Sequence, residues 1–143
     1  MLTQHGDLFK YPKTTNGMIK QNGRAVMGAG LAKTFDQKFD LSKMLGACLK
    51  AMGNHAYNLG IYGNGFHIFS FPTKDDWRDN SKIELIEQSC HELVSLMDKL
   101  KLNNCYLPLP GCGCGGLNPN NVIPRIGQIL DDRFVLVQKY QGN

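Results

Sequence analysis

The chain sets glycine clusters at two junctions where a strand-like run gives way to a helix-like one: "VMGAGLAKTF" over 26–35 and "PGCGCGGLNP" over 110–119. Glycine is second only to proline in weakening a helix interior, so a helix that opens on Gly28-Ala29-Gly30 carries its glycines for another reason. A strand-to-helix turn leaves the first helical N–H groups unbonded at the positive end of the helix dipole. With no Cβ in the way, an anion can come close to that backbone. A tight turn with no ligand is the plainer alternative for the first cluster. The second is richer, with Gly111, Gly113, Gly115 and Gly116 close together, and its successive N–H groups could form an anion nest. Two nests on neighbouring strand ends would hold the two phosphates of a diphosphate. Neither cluster is G-x-x-x-x-G-K-[ST], and the first lacks G-x-G-x-x-G, which excludes a P-loop and the dinucleotide fingerprint.

The pattern around the clusters predicts alternating elements. "DLFKYPKTTNG" reads as a loop after a short first strand, because of Pro12 and the Asn-Gly turn signal. Residues 18–22, "MIKQN", read as a short strand. A helix over 30–39 follows the first cluster, and a second over about 41–52 puts Leu41, Leu45, Cys48 and Leu49 on one face. "AYNLGIYG" and "FHIFSF" read as a hairpin turning at Gly63-Asn64-Gly65. "SKIELIEQSCHELVSLMDKLK" opens on Ser81 and Glu84, a capping-box pair. Its apolar residues Ile83, Ile86, Cys90, Leu93, Met97 and Leu100 recur at helical spacing. "NCYLPLP" reads as a buried strand, "NPNNVIPRIGQIL" opens a helix, and "RFVLVQKY" closes as a strand covered on both faces. Strands alternating with helices predict an α/β fold, a three-layer α/β/α sandwich with a mixed sheet of roughly six strands. In such folds ligands collect beyond the carboxyl ends of strands, where both glycine clusters fall.

A chain of 143 residues, 42% apolar and 20% charged, suits a single domain over 1–143 with a core of its own. No apolar run approaches the roughly 20 residues that span a bilayer. "MLTQHGDLFK" has no basic start leading into an apolar stretch, so the chain is read as cytoplasmic. The net charge of +4 assists an anionic ligand without itself indicating nucleic acid. Five cysteines include Cys112 and Cys114 as C-x-C, but no second pair has zinc-ligand spacing, so free thiols and no metal are expected. His5, His55, His67 and His91 are scattered, and no triad partner follows from their spacing.

Taken together, "GDLF", "QNGRAVMGAGLAKTF", "FPTKDDWRD" and "LPLPGCGCGGL" resemble, in order and over nearly the whole chain, the macrodomain family of ADP-ribose binders and hydrolases. "FPTK" followed by Trp-Arg is similar to the branch that contains the DarG macrodomains, which remove ADP-ribose from DNA. Related branches are the terminal ADP-ribose glycohydrolases acting on proteins and the ADP-ribose-1″-phosphate phosphatases, some of them phage-encoded. The resemblance implies that ADP-ribose lies in a cleft at the strand ends, with Asp7 accepting from the adenine amino group and Leu8 beside it. It puts Asn22 on the distal ribose as a catalytic-site residue. It makes Val26 and Met27-Gly28-Ala29-Gly30-Leu31 the first phosphate loop. Gly111, Cys112, Gly113, Cys114, Gly115, Gly116 and Leu117 become the second.

Lys74 alone reads as a solvated surface lysine; the resemblance makes it the catalytic lysine. A lysine near the anomeric carbon can attack it or hold the leaving group. Trp77 and Arg78 are a stacking and phosphate-contacting pair for a nucleic-acid substrate, or a half-buried tryptophan with a rim arginine. Tyr140 is placed to stack on adenine, or is a surface tyrosine. The chain departs from the protein-acting glycohydrolases, which pair their lysine with an aspartate in the second glycine loop. Glycine stands there instead, around Gly115, which favours the DNA-acting branch. Lys20 also stands where that family usually has an apolar strand residue. The expected activity is hydrolysis of ADP-ribose from DNA first and from protein second, with no cofactor, membrane or obligate protein partner. A phosphatase acting on ADP-ribose-1″-phosphate and a non-catalytic binder of ADP-ribose derivatives are the alternatives.

Overall fold

A computed structural model describes residues 10–27, 40–62, 65–113 and 115–137. These form β1 (Lys10–Thr15), α1 (Leu41–Met52), β2 (Asn58–Tyr62), β3 (Phe66–Pro72), α2 (Ile83–Leu100), β4 (Cys105–Pro108), α3 (Pro119–Gly127) and β5 (Phe134–Val137). The expected helix over 30–39 and the residues Gly63 and Asn64 of the hairpin turn lie outside the described residues.

β3 organises the molecule. It pairs in parallel with β1, Lys10 opposite His67 and Thr15 opposite Pro72, and antiparallel with β2. All seven of its residues are buried, and the period of two along a strand sorts them to opposite faces. Phe66 and Ile68 join Leu41, Leu45 and Leu49 of α1 in one cluster, with Leu59. Phe69 and Phe71 join Ile86, Cys90, Leu93 and Met97 of α2 in the other, with Val122 and Ile126 of α3. Helices therefore cover both faces of the strand, as a three-layer α/β fold requires. β4 pairs in parallel with β5, and β1 neighbours β4. The described strands thus form a mixed three-stranded sheet in the order β1-β3-β2 and a parallel pair, β4-β5, beside it, rather than one sheet of roughly six.

The two long helices form where their apolar periodicity puts them. Ile86, Cys90, Leu93 and Met97 are spaced four, three and four apart and are all fully buried. Each large apolar side chain so buried favours folding by about 1.5–3 kcal/mol. α3 begins at Asn118, whose side chain accepts from the Asn120 N–H, with Pro119 in the first turn. Proline there loses no helical hydrogen bond.

Four local expectations are corrected. β1 occupies "KYPKTT", which the sequence marks as loop, because β3 offers a ladder that overrides a proline and two lysines. Residues 18–22 are not a strand. They lead into a turn closed by Lys20 N–H to Arg24 O (2.7 Å) and Gly23 N–H to Lys20 O (2.9 Å), with a lone bridge between Ile19 and Ala25. The capping box does not form: the N-cap of α2 is Lys82, with no side-chain cap, and the Ser81 hydroxyl is buried elsewhere. β5 is open on one face, with Val135 46% and Val137 44% exposed, while Phe134 and Leu136 pack on the core.

The 18–26 turn is seated on α1 at a single close approach. A Cβ on Gly46 would lie 1.9 Å from the Gly23 carbonyl oxygen and 3.0 Å from the Ala25 nitrogen. Ala25 N–H donates to the Ser42 carbonyl, and Arg24 Nη1 reaches both Asp40 and Ser42 Oγ.

Candidate functional site

Three segments that leave the strands are bonded to one another. The first follows β1. Asn16 is buried, donates through Nδ2 to the Val26 carbonyl (3.0 Å) and accepts on Oδ1 from the Met18 N–H (2.9 Å). One side chain thereby closes the loop that runs to the first glycine cluster. The second segment, 73–82, follows β3. Gly17 N–H donates to the Asp75 carbonyl (2.8 Å), and Thr73 N–H to the Thr15 carbonyl (3.1 Å). Asn54, just past α1, donates through Nδ2 to the Lys74 carbonyl (3.1 Å) and to Asp75 Oδ1 (2.9 Å). Lys82 Nζ bonds Asp75 Oδ2 (3.1 Å). Asn54 and Lys82 together hold the Asp75 carboxyl below the usual carboxylate range. The third segment is the second glycine loop, tied to the second by Ser81 N–H to the Gly115 carbonyl (2.9 Å).

Lys74 sits two residues beyond the end of β3, partly exposed, with Nζ 3.5 Å from the Trp77 carbonyl. Trp77 is 51% exposed. Arg78 is exposed but turns its guanidinium back onto its own loop. Its Nε and Nη2 donate to the two oxygens of Asp76 (2.9 and 2.6 Å), and its N–H donates to Asp76 Oδ1 (2.9 Å). That brace lowers the Asp76 carboxyl to about 2. A carboxyl whose folded value is depressed keeps its bonds at every pH above that value and loses them as pH falls through it. We therefore expect the Asp76 side-chain carbon to titrate by NMR with a midpoint near 2 and the Trp77 indole signal to move with it. Arg78→Ala should return the midpoint toward 3.8.

Most glycines of the second cluster are explained by the fold. Gly111 (φ 78°) and Gly116 (φ 79°) lie in the left-handed region, open to glycine at little cost. A Cβ on Gly115 would lie 2.2 Å from Ser81 Oγ and 2.6 Å from the Gly111 carbonyl oxygen. No aspartate fits at 115 without moving that backbone. Leu117 N–H donates to the Gly111 carbonyl (2.8 Å) and Gly116 N–H to the Gly113 carbonyl (3.2 Å). Gly113 is different: it is exposed, has no positive φ, and a Cβ there would meet nothing within 4 Å among the described residues.

Other expected site residues fall as follows. Met27 packs on the core cluster of α1. Cys112 and Leu117 pack against the α2 cluster, so both belong at least partly to the core. Asn22 is exposed at the 20–24 turn, its Oδ1 accepting from Arg24 N–H (3.0 Å). Asp7, Leu8, Gly28, Ala29, Gly30, Leu31, Cys114 and Tyr140 lie outside the described residues. A cavity of about 360 Å³ adjoins the second loop, lined by Ile83, Leu117, Asn118, Asn121, Val122 and Arg125.

The remaining nucleophiles and bases have other occupations. Burial raises the thiols of Cys48 and Cys112, and burial first and Glu87 second push Cys90 up to about 12, so these sulfurs stay protonated. His55 Nδ1 lies 2.6 Å from Glu92 Oε2, His67 stacks on Phe69 within β3, and His91 is exposed on α2. No cluster of metal ligands occurs among the described residues, and none of their helices is long and apolar enough to cross a membrane. Sequence reasoning missed Asn16, Asn54 and Ser81. Asn16 carried a signal in its Asn-Gly pair, which marks a turn; Asn54 carried none that separates it from ordinary polar residues, and the marks on Ser81 pointed to a helix cap.

No protein-family model matches the chain. It is 32% identical over 116 residues to a DNA ADP-ribosyl glycohydrolase of Thermus aquaticus, matching 77% of this chain and 32% of that protein. It is 30% identical over 130 residues to a DNA ADP-ribosyl glycohydrolase of Mycobacterium bovis, matching 85% of this chain and 36% of that protein. The chain thus spans about a third of the length of the curated relatives it matches. Among solved structures, the macrodomain of Thermus aquaticus DarG superposes with a TM-score of 0.73 at 28% identity, covering 96% of this chain and 92% of that one.

Proposed function

Since the chain belongs to the macrodomain family, on its DarG-type branch, we propose that it hydrolyses the bond joining ADP-ribose to DNA. The observation that carries this reading is the placement of Lys74. It follows the central strand, in a segment bonded on one side to the loop after β1 and on the other to the second glycine loop. Gly113 supports it, as an exposed glycine without a positive φ and with no described residue within 4 Å of where a Cβ would stand. A bare backbone there lets a pyrophosphate oxygen come within hydrogen-bonding distance. The two relatives named for DNA ADP-ribosyl glycohydrolase activity support the choice of DNA over protein.

In this reading the glycine loops hold the diphosphate and fix the distal ribose. Lys74 either stands with its positive charge by the departing base, or attacks C1″ through the lone pair of its unprotonated amine as the bond to the base breaks, in an adduct that water then opens to give ADP-ribose and the free lysine. In the net reaction the oxygen of water bonds to C1″, the bond from C1″ to the base breaks, and the base takes up a proton. Positioning and oriented backbone dipoles supply most of the rate. Incubating the chain with an ADP-ribosylated single-stranded oligonucleotide should liberate ADP-ribose and the unmodified strand, followed by chromatography. Tight ADP-ribose binding with the modified strand left intact would reduce the protein to a binder. Phosphate release from ADP-ribose-1″-phosphate alone would make it a phosphatase.

A further inference from the structure

We propose that Trp77 is a stacking platform for an unpaired base of the DNA strand, and that the loop which displays it also sets the position of Lys74. This deepens the reading above and rests on it for the identity of the strand. The indole is 51% exposed, and its neighbours in sequence, Asp75, Asp76, Arg78, Asp79 and Asn80, offer no apolar surface to cover it. Nor is the segment loose. It is held at Asp75 by Gly17, Asn54 and Lys82, and at Asp76 by the Arg78 brace. A braced loop that keeps the chain's sole tryptophan in water holds a flat apolar face ready.

Arg78 takes a different part from the one its sequence position suggests. With its guanidinium donating to both oxygens of Asp76, it acts as a strut under the loop rather than as a phosphate ligand. The occupant is therefore a base face and not a phosphate: aromatic side chains hold single strands through stacking, with little regard to sequence. Lys74 Nζ donates to the Trp77 carbonyl at 3.5 Å. A base seated on the indole thus lies three residues along the chain from the lysine assigned to the scissile bond in the reading above, and both belong to one hydrogen-bonded segment. A base in a duplex has its faces occupied by its neighbours, so the platform selects unpaired strands.

The single tryptophan makes the test direct. Titrating the chain with a short unmodified single-stranded deoxyoligonucleotide should quench its fluorescence; the same sequence as a duplex, and ADP-ribose alone, should not. On the ADP-ribosylated strand, Trp77→Ala should raise KM about tenfold or more, with the loss in KM rather than kcat, and Trp77→Phe should restore KM to within about threefold. At half exposure the side chain is replaceable without loss of the fold. Absence of quenching together with an unchanged KM in Trp77→Ala would overturn the proposal while leaving ADP-ribose release standing. Quenching by the single strand in a protein that releases no ADP-ribose would sink the catalytic reading and leave the platform supported.

Discussion

Lys74→Ala should slow release of ADP-ribose from modified DNA by about 10²–10³-fold or more, the cost of removing one preorganised charge from a reacting centre. Affinity for free ADP-ribose should change by no more than about threefold, because the groups proposed to hold the diphosphate are backbone N–H groups of the glycine loops. The fold should not notice: the Lys74 side chain is partly exposed, and its hydrogen bond to the Trp77 carbonyl is long at 3.5 Å. Calorimetry with ADP-ribose and single-turnover release on the modified strand measure the two quantities separately. Lys74→Arg then divides the roles of the lysine. Arginine keeps the charge but cannot serve as a nucleophile at neutral pH. Partial retention of activity in that variant would assign Lys74 to charge stabilisation, and a loss equal to that of alanine would assign it to attack on C1″. Full activity in the alanine variant would remove Lys74 from the reaction.

The second large effect is on stability. Gly46→Ala puts a methyl carbon 1.9 Å from the Gly23 carbonyl oxygen, and neither partner is a flexible side chain that could swing away. α1 and the 18–26 turn must separate. Overpacking of this kind costs about 1–3 kcal/mol, and for a domain of this size each kcal/mol lowers Tm by about 2–4 °C. A fall on the order of 5–10 °C by calorimetry is the expected result, together with weaker ADP-ribose binding as the loop after β1 shifts. Gly127→Ala is the matched control: it sits in the last turn of α3 with nothing within 4 Å of a new Cβ and no positive φ. Alanine there should be neutral or stabilising by up to about 1 kcal/mol. Equal Tm values for the two variants would show that the turn does not rest on α1 at Gly46.

Where each side chain's own chemistry decided the outcome, the sequence was readable. α1 spans the residues its apolar spacing outlines, and α2 buries Ile86, Cys90, Leu93 and Met97 as their period demands. The hairpin of β2 and β3 follows from two strand-like runs around an Asn-Gly pair. The placement of Lys74 at a strand end was legible from "FPTK". What was hidden depends on partners distant in the chain. β1 contains Pro12 and charged residues, so nothing local names it as a strand; it exists because β3 is there to pair with. The reverse error occurred at β5, where a continuous apolar run suggested two covered faces but only Phe134 and Leu136 found a core. Ser81 has every local mark of a helix cap, yet the glycine loop claims its place, and the helix starts uncapped. The glycine-rich segment was read as a ligand cradle throughout; sterics show that Gly111, Gly115 and Gly116 answer first to the fold.

The fit between Gly115 and Ser81 also limits how such a protein can change its habits. Importing an acidic partner for Lys74 into the second loop is not a one-letter edit. The newcomer collides with a hydroxyl at 2.2 Å and a main-chain oxygen at 2.6 Å, so position 81 and the backbone at 111 would have to yield in the same step. Intermediates carrying only the acid would be misfolded in the loop before they gained any new chemistry. A chain with this arrangement is kept from gaining that acid by geometry, and a directed-evolution campaign seeking it would need to randomise 81, 111 and 115 together.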